Sequence, residues 1–375
     1  MLDIDIKEEQ EAPKQWSEIF NYRENIEVLE SYLKNLKDYD NIIVVGNGGS
    51  ITSYDAYIGA LGSKLKSYTV WTMDPEYLKD IKKKCSNGNT IVVAVSKSGN
   101  TLGQIESLLY FKDFDVLAIT EPNGGTLYHI AEKMRWKIIP HPAIGGRFSG
   151  GTTSAFVPAR IAGLNIRDIQ SGIDYGYKKL KNKAYNLANF YFKKEKEGFE
   201  EIYCSLYSSQ LYNFQNLIIQ LMHESVCKDQ KGQSVYVSMG PECQHHTNQR
   251  FIGGKKNVVG TFVIAKQDNS DKLNIPDNLS EITYKGIKLS SFNGLAYTDL
   301  LLAEYEGTKR DADNKGIPNV TIDIHYINEK TIGAFVAFWH LVAFYSSIIR
   351  GVNPFDQPAV EDSKNITLDI IKEKI

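Results

Sequence analysis

Short apolar runs alternate with amphipathic segments through the first half of the chain. The runs are rich in valine and isoleucine and predict strands at residues 41–46, 66–72, 89–96, 115–120 and 136–141. Segments with apolar residues at helical spacing lie between several of these runs and predict helices. This alternation, with short connections, is typical of a parallel sheet covered by helices. Ligands of such sheets bind beyond the carboxyl ends of the strands, so residues that follow each run are candidates for chemistry.

The same alternation resumes after the charged run KKEKEGFEE at residues 193–201, which we interpret as a solvated helix end and a linker. Two helices are predicted before it, at about 152–164 and 167–197. Beyond it the pattern predicts strands at 201–207, 234–239, 257–264 and 318–327, and helices at about 210–225, 293–313, 330–349 and from 356 onward. The sequence therefore predicts an α/β fold with two units. We divide it into an N-terminal helical segment (1–40), a first domain (41–185), a second domain (186–350) and a C-terminal helix (351–375).

The composition is that of a globular protein with sizeable cores, since 42% of the 375 residues are hydrophobic and 23% are charged. The formal net charge is −2, which argues against the broad basic surface of a nucleic-acid-binding protein. The longest apolar region, residues 331–349, contains His340 and two serines. We interpret it as a buried helix and expect no membrane span.

The cysteines indicate a reducing environment. There are four, Cys85, Cys204, Cys227 and Cys243, which form no C-x-x-C pair and are too few for a disulfide framework. The first 15 residues are charged and lack the apolar core of a signal peptide. We therefore expect a cytoplasmic protein.

Two polar loops each follow a predicted strand and open a predicted helix. VVGNGGS at 44–50 is a glycine-rich turn at a helix N-terminus, where backbone N–H groups can approach an anion. VSKSGNT at 95–101 adds hydroxyls and a cation in the same setting and suits a phosphate. The side chains that suit it are those of Ser96, Lys97, Ser98 and Thr101. Together the loops suggest a phosphorylated polyol as ligand.

Other interpretations of these loops stay open. A dinucleotide site would need G-x-G-x-x-G, whose third glycine is missing here, although Asp74 after the next strand keeps an NAD site in consideration. The first loop could also be a tight turn without a ligand. In the second loop, Ser98 or Asn100 could simply cap the following helix.

Two charged residues are candidates for catalysis. Arg147 lies between glycines in IGGRFSGGTTS and offers a donor fork that is always charged. Glu224 lies near the end of a predicted helix and shares a face with Gln220, four residues earlier. Apolar neighbours put that part of the helix next to a core, and a carboxylate beside apolar packing is a candidate base. The simpler interpretations are an exposed arginine in a flexible loop and a solvated glutamate.

The remaining polar stretches are PECQHHTNQ (241–249) and NPFDQPAVEDSK (353–364). The paired His245 and His246 beside a cysteine suggest zinc, but no second pair with ligand spacing exists, so an acid–base histidine is favoured. Pro358 is typical of the first turn of a helix. If the stretch is helical, one face carries Gln357, Glu361 and Lys364. The alternative is a charged surface helix.

Together, these six stretches resemble the motifs of the glucose-6-phosphate isomerase family. GNGGS resembles the family's G-x-G-G-S turn, VSKSGNT its S-K-T-x-x-T phosphate loop and GGRFS its G-G-R-x-S. HES resembles E-S-x-G-K, QHHTNQ resembles Q-H-x-x-x-Q, and NPFDQPAVEDSK resembles D-Q-x-G-V-E-x-x-K. The stretches occur in the family order from residue 44 to residue 364 and so cover most of the chain.

The resemblance implies two sugar-isomerase (SIS) domains, each a three-layer unit with a mainly parallel sheet flanked by helices. It implies an enzyme that interconverts glucose 6-phosphate and fructose 6-phosphate through a cis-enediol(ate), without a metal or other cofactor. It also implies a homodimer with a shared active site, in which the partner subunit supplies the histidine.

By position, the resemblance assigns Glu224 as the base that moves a proton between C1 and C2, and Arg147 as the cation that stabilises the enediolate. The other assignments are ring opening by His245 and Lys364, sugar contact by Gln220 and Gln357, and substrate or phosphate binding by Gly49, Ser50, Ser96, Lys97, Ser98 and Thr101. Gln104 is a further possible phosphate ligand.

Two positions leave alternatives open. Lys228 and Lys231 compete for the lysine of E-S-x-G-K. Either His245 or His246 could open the sugar ring, and we favour His245 because it directly follows Gln244.

Two other functions also stay open. One is a bifunctional glucose/mannose 6-phosphate isomerase, for which the pocket near Gln220 and Gln357 decides; two glutamines favour the strict enzyme. The other is a non-enzymatic sugar-phosphate sensor. The presence of Arg147, Glu224, His245 and Lys364, and the lack of a DNA-binding module, favour an enzyme.

Overall fold

The strands and helices follow the predicted alternation. The computed structural model describes residues 1–6, 10–266 and 271–375. Its strands are β1 (Leu2–Ile4), β2 (Asn41–Val45), β3 (Lys66–Val70), β4 (Thr90–Val95), β5 (Asp115–Thr120), β6 (Lys137–Pro140), β7 (Glu201–Tyr207), β8 (Ser234–Met239), β9 (Val258–Ala265), β10 (Thr283–Tyr284), β11 (Ile287–Lys288) and β12 (Asn319–Ile324). Its α-helices are α1 (Ile26–Leu33), α2 (Thr52–Leu61), α3 (Pro75–Lys84), α4 (Leu102–Tyr110), α5 (Gly125–Met134), α6 (Thr153–Ile161), α7 (Ile166–Lys179), α8 (Lys181–Lys196), α9 (Phe214–Val226), α10 (Thr247–Gly253), α11 (Tyr297–Asn314), α12 (Glu329–Arg350) and α13 (Glu361–Lys372).

The first sheet brings the two polar loops together. Its strands run parallel in the order β3-β2-β4-β5-β6. β2 and β4 are buried along their whole length, which explains why their sequences are continuous apolar runs. The strand order reverses between β2 and β4, so the loops that leave these strands diverge and open a crevice. GNGGS follows β2 and VSKSGNT follows β4.

The second sheet has the order β1-β12-β9-β7-β8. Its strands are parallel except for β1, which pairs antiparallel with β12 at the edge. Helix α9, which carries Gln220 and Glu224, follows β7 after a short 3-10 turn. The two mainly parallel sheets flanked by helices confirm the predicted α/β class.

Helix α12 joins the two units in one core. It begins after Asn328, whose side chain accepts the backbone N–H of Thr331, and ends at Gly351 with φ of 66°. Nearly all of its residues are buried against α7, α8 and α9, which confirms the prediction of a buried helix. Its length and hydropathy alone would also suit a membrane span. One apolar cluster includes residues of both sheets and of this helix.

Close helix packing in this core depends on glycines. A Cβ at Gly172 of α7 would lie 1.9 Å from the carbonyl oxygen of Lys330, and one at Gly333 of α12 would lie 2.1 Å from that of Ile169. Larger residues would therefore push α7 and α12 apart.

The structure corrects several expectations. The single helix predicted at 167–197 is two helices, α7 and α8, which meet at Leu180 so that both pack against α12. The N-terminal segment 1–40 contains α1 but also strand β1, because Leu2 is buried beside β12. Helix α3 was not predicted. The boundary drawn between residues 185 and 186 falls inside α8; the domain division stays a prediction.

The last helix also differs from the expectation. Pro358 opens a separate 3-10 turn, Pro358–Val360, and α13 starts only at Glu361. Gln357 precedes that turn with a non-helical backbone, φ of −154° and ψ of 67°. Gln357 and Lys364 therefore do not share a helical face, and the predicted single face is wrong.

Candidate active site

The glycine-rich turn after β2 lies directly against the segment that carries Arg147. Arg147 lies in a 3-10 segment, Gly146–Gly151, and its backbone nitrogen would be 2.2 Å from a Cβ added at Gly49. Only glycine at position 49 allows this approach. GNGGS and GGRFS, about 100 residues apart in the sequence, thus form one surface.

Arg147 donates hydrogen bonds from all three guanidinium nitrogens. Its acceptors are Ser225 Oγ (from Nε, 2.9 Å), Glu224 Oε2 (from Nη1, 3.1 Å), Gln357 Oε1 (from Nη1, 2.8 Å), and the carbonyl oxygens of Pro354 (from Nη2, 2.6 Å) and Asp356 (from Nη2, 2.9 Å). One guanidinium therefore holds α9 and the segment between α12 and α13 in a fixed relation.

The Arg147–Glu224 pair differs in exposure. The arginine side chain is 4% exposed, whereas the glutamate is 31% exposed. Burial lowers the pKa of Arg147, and the neighbouring carboxylate of Glu224 opposes that shift. The pair thus combines a buried, oriented cation with a carboxylate that a solute can reach.

Glu224 is bonded on both of its oxygens. Arg147 donates to Oε2, and the amide Nε2 of Gln220 donates to Oε1 at 3.0 Å. Gln220 lies one turn earlier on α9, so the predicted shared face is confirmed. Its own Oε1 accepts the hydroxyl of Thr52 at 3.1 Å, which links α9 to α2.

A lysine holds the segment between α12 and α13. Lys228, 10% exposed, pairs with Asp356 Oδ1 at 2.7 Å and also donates to the carbonyl oxygen of Asn353. This contact lowers the pKa of Asp356. Lys231 donates instead to the carbonyl of Arg350 at 3.0 Å. Of the two rival lysines, Lys228 is therefore the one that reaches the neighbourhood of Arg147.

A cavity of about 450 Å³ opens beside Glu224. Its lining includes Glu224, Gln357 and Lys228, together with apolar atoms of Cys227 and Val360. This volume lies in the range of small-molecule sites in proteins.

In the VSKSGNT loop Ser96 is buried, whereas Ser98 and Thr101 are exposed and Lys97 is partly exposed. Thr101 is the N-cap residue of α4 but makes no capping side-chain bond. Ser98 accepts the backbone N–H of Asn100, and Asn100 accepts the backbone N–H of Thr126 at the start of α5. Neither residue caps α4, so the simple capping interpretation is wrong. Lys97 lies 3.7 Å from the carboxylate of Glu121.

Gln104 has a structural role. Its buried amide nitrogen donates to the carbonyl oxygens of Val45 (3.1 Å) and Val95 (2.6 Å), the last residues of β2 and β4. It thereby fixes the two strand ends that flank the crevice. Both N–H groups of the amide are used by these carbonyls, so the structure gives no support to Gln104 as a phosphate donor.

His245 and Lys364 lie outside this network. Both are exposed, and Lys364 pairs with Glu361 at 2.8 Å on α13. The His246 ring contacts Thr247 Oγ1 at 2.6 Å, whereas the His245 ring makes no hydrogen bond among the described residues. Within one chain, neither residue is hydrogen-bonded to Glu224 or Arg147.

Sequence reasoning missed several contacts of the site. Ser225 was part of the quoted HES motif but carried no separate signal, and the carbonyl acceptors of residues 354 and 356 are invisible in any sequence. Thr52 carried no signal in the sequence. In the described ranges, no group of three or more His, Cys, Asp or Glu residues could hold a metal ion.

The two mainly parallel sheets flanked by helices define an α/β protein of the SIS type, in which hydrogen bonds join Glu224 to Gln220 and Arg147, and Arg147 to Gln357. Two solved structures share this fold. A hypothetical protein from Thermus thermophilus has a TM-score of 0.85 at 22% identity, covering 94% of this chain and 89% of that one. A glucose-6-phosphate isomerase from Chlamydia trachomatis has a TM-score of 0.75 at 19% identity, covering 93% and 72%.

Sequence comparison identifies the family. A glucose-6-phosphate isomerase from Methanocaldococcus jannaschii is 31% identical over 370 residues, which cover 94% of this chain and 88% of that relative. No protein-family profile matches the chain. At this identity and coverage, the chain belongs to the glucose-6-phosphate isomerase family.

Proposed function

We propose that this protein interconverts glucose 6-phosphate and fructose 6-phosphate by proton transfer through a cis-enediol(ate). The observation that carries the proposal is the contact of Arg147 with both Glu224 and Gln357, which are 77 and 210 residues away in the sequence. Three separate motifs thereby meet at one guanidinium. Membership of the glucose-6-phosphate isomerase family supports the reaction.

Glu224 is the base. An aldose–ketose shift needs one carboxylate that takes a proton from C2 and returns it to C1. Glu224 is reachable from the cavity, and the hydrogen bonds that Arg147 and Gln220 donate to its two oxygens fix the position of the carboxylate.

Arg147 stabilises the charge that develops on the sugar oxygens. All five of its N–H groups already have acceptors in this chain, so its buried, fixed positive charge acts on the sugar oxygens without a direct hydrogen bond. Gln220 and Gln357 contact the sugar. The N-terminus of α4 and the side chains of VSKSGNT bind the phosphate, with Gly49 and Ser50 on the facing loop.

We also propose that the enzyme is a cytoplasmic homodimer with a shared site. His245 and Lys364 assist ring opening, yet neither is hydrogen-bonded to Glu224 or Arg147 in one chain. Apolar side chains are exposed in the segment 271–297, which leads into α11, and on α13. This exposure favours an interface with the second subunit at these surfaces. These exposed residues are Ile282 (51%), Tyr284 (58%), Ile287 (51%), Tyr297 (54%), Ile366 (59%) and Ile370 (49%).

The test is turnover of fructose 6-phosphate without added metal, in the unmodified protein and in Glu224→Gln. The variant keeps the side-chain shape but cannot accept the proton, so kcat should fall at least ~10²-fold. Glu76→Gln, on exposed α3, is the matched control and should behave as the unmodified protein. Near-normal turnover by Glu224→Gln would remove Glu224 as the base.

The same assay with mannose 6-phosphate separates the strict from the bifunctional enzyme. Glutamines at positions 220 and 357 lead us to expect little activity on that sugar. Tight binding of fructose 6-phosphate without turnover would instead favour the sensor.

A further inference from the structure

Thr52 contacts Gln220, the residue that donates a hydrogen bond to the proposed base, Glu224. It is 6% exposed at the start of α2, and its hydroxyl donates to Gln220 Oε1 at 3.1 Å. The amide nitrogen of Gln220 then donates to Glu224 Oε1 at 3.0 Å. A chain of two hydrogen bonds therefore runs from α2 to the carboxylate.

The donor and acceptor properties of these groups determine which atom donates in each of the two hydrogen bonds. An ionised carboxylate only accepts hydrogen bonds, so the amide of Gln220 must turn its nitrogen toward Glu224. Its oxygen then faces Thr52, whose hydroxyl is the matching donor. If the amide turned over, two oxygens would face each other at the base.

The glycine-rich turn leaves the space for this amide. A Cβ at Gly48 would lie 2.6 Å from Nε2 of Gln220, and Gly48 has φ of +50°. A side chain there would displace the amide as well as strain the turn. The turn and Thr52 therefore hold Gln220 from two sides.

We infer that Thr52 is a positioning residue for catalysis: its hydroxyl holds the Gln220 amide in the orientation that donates to Glu224. This inference rests on the proposed function, in which Glu224 is the base. Thr52 acts through Gln220 and touches neither the reacting carbons nor the phosphate loop. Because Gln220 is also proposed to contact the sugar, loss of the Thr52 hydroxyl should lower kcat more than it raises KM.

The experiment compares Thr52→Val, Thr52→Ser and Ser53→Ala by kcat and KM for fructose 6-phosphate, with thermal unfolding as the check on folding. Thr52→Val removes the donor and should lower kcat roughly three- to tenfold, the effect of one neutral hydrogen bond. Thr52→Ser keeps the donor and should restore most of the rate. Ser53→Ala is the matched control, since the buried Ser53 hydroxyl has no partner among the described residues.

A double-mutant cycle separates positioning from a general structural role. In a Gln220→Met background the amide is absent, so Thr52→Val should have no further effect on kcat. Unchanged kcat in Thr52→Val, or an equal loss in both backgrounds, would overturn the inference. Absence of turnover in the unmodified protein would instead remove the proposed function, and this inference with it.

Discussion

Two parts of the proposed site differ in how completely one chain builds them. Around Glu224 and Arg147, which we call the closed part, both Glu224 oxygens and all three Arg147 guanidinium nitrogens have partners in the same chain. Around His245 and Lys364, the open part, the side chains are exposed and make no bond to that network.

The two parts illustrate two ways of assembling a site, one within a single folded chain and one between two copies. The closed part is ordered when the chain folds, so its donors need no reorganisation when substrate arrives. In the proposed homodimer, a second surface brings the groups of the open part close to Glu224. We interpret it as the portion that a second copy completes.

The largest effect is expected in the closed part, from Arg147→Lys. Lysine keeps the charge but cannot make the five oriented bonds of the guanidinium, so Glu224 and the segment at residues 354–357 lose their fixed positions. We expect kcat to fall about 10²- to 10³-fold, the range for the loss of one preorganised electrostatic group. Steady-state kinetics with fructose 6-phosphate measure it. Arg160→Lys, at an exposed site, is the control. A kcat within a few-fold of the unmodified protein would mean that the closed part does not stabilise the transition state.

A smaller effect is expected from Lys228→Met, which releases the segment that Arg147 also holds. Loss of this charge-assisted contact should lower kcat about tenfold. Lys231→Met loses only its bond to the Arg350 carbonyl and should cost less activity. Equal losses in the two variants would show that Lys228 contributes no more than general stability.

The smallest effect on activity is expected at His340, where the main expected effect is on the pH dependence of the free energy of unfolding. This residue lies beneath Phe148, contacts the hydroxyl of Tyr177 through Nδ1 at 2.7 Å, and is fully buried. Burial lowers its pKa from 6.5 to about 3. Below pH 6.5, the ordinary pKa of histidine, His340 binds a proton in the unfolded chain but not in the folded protein. The free energy of unfolding therefore decreases as the pH falls from 6.5 toward 3.

Urea unfolding at pH 7 and pH 5 measures this loss. His340 should account for about 2 kcal/mol of the decrease in the free energy of unfolding. His340→Asn offers a polar atom near Nδ1 but does not titrate, so its decrease should be smaller by that amount. Identical decreases in the two proteins would contradict a neutral, buried His340.

Sequence patterns predicted the local spacing of Gln220 and Glu224 better than they predicted the long-range contacts of Arg147. The spacing of Gln220 and Glu224 was readable because a helix repeats every 3.6 residues. The convergence of Arg147 with Gln357 was not, because 210 residues separate them and two of the acceptors near Gln357 are backbone carbonyls. The break at Leu180 and the late start of α13 were missed for a related reason. We attribute the break at Leu180 to packing against α12, and the late start of α13 to the hydrogen bond between Arg147 and Gln357. Neither contact produces a local pattern in the sequence.

The most direct measurement mixes two inactive variants. In Glu224→Gln the closed part is broken, and in His245→Asn the open part is broken. If each site combines Glu224 of one copy with a histidine of the other, a mixed dimer regains one intact site. Random exchange of subunits should then restore about a quarter of the unmodified activity. No recovery, in a mixture where mixed dimers are demonstrated by mass, would contradict a site shared between two copies.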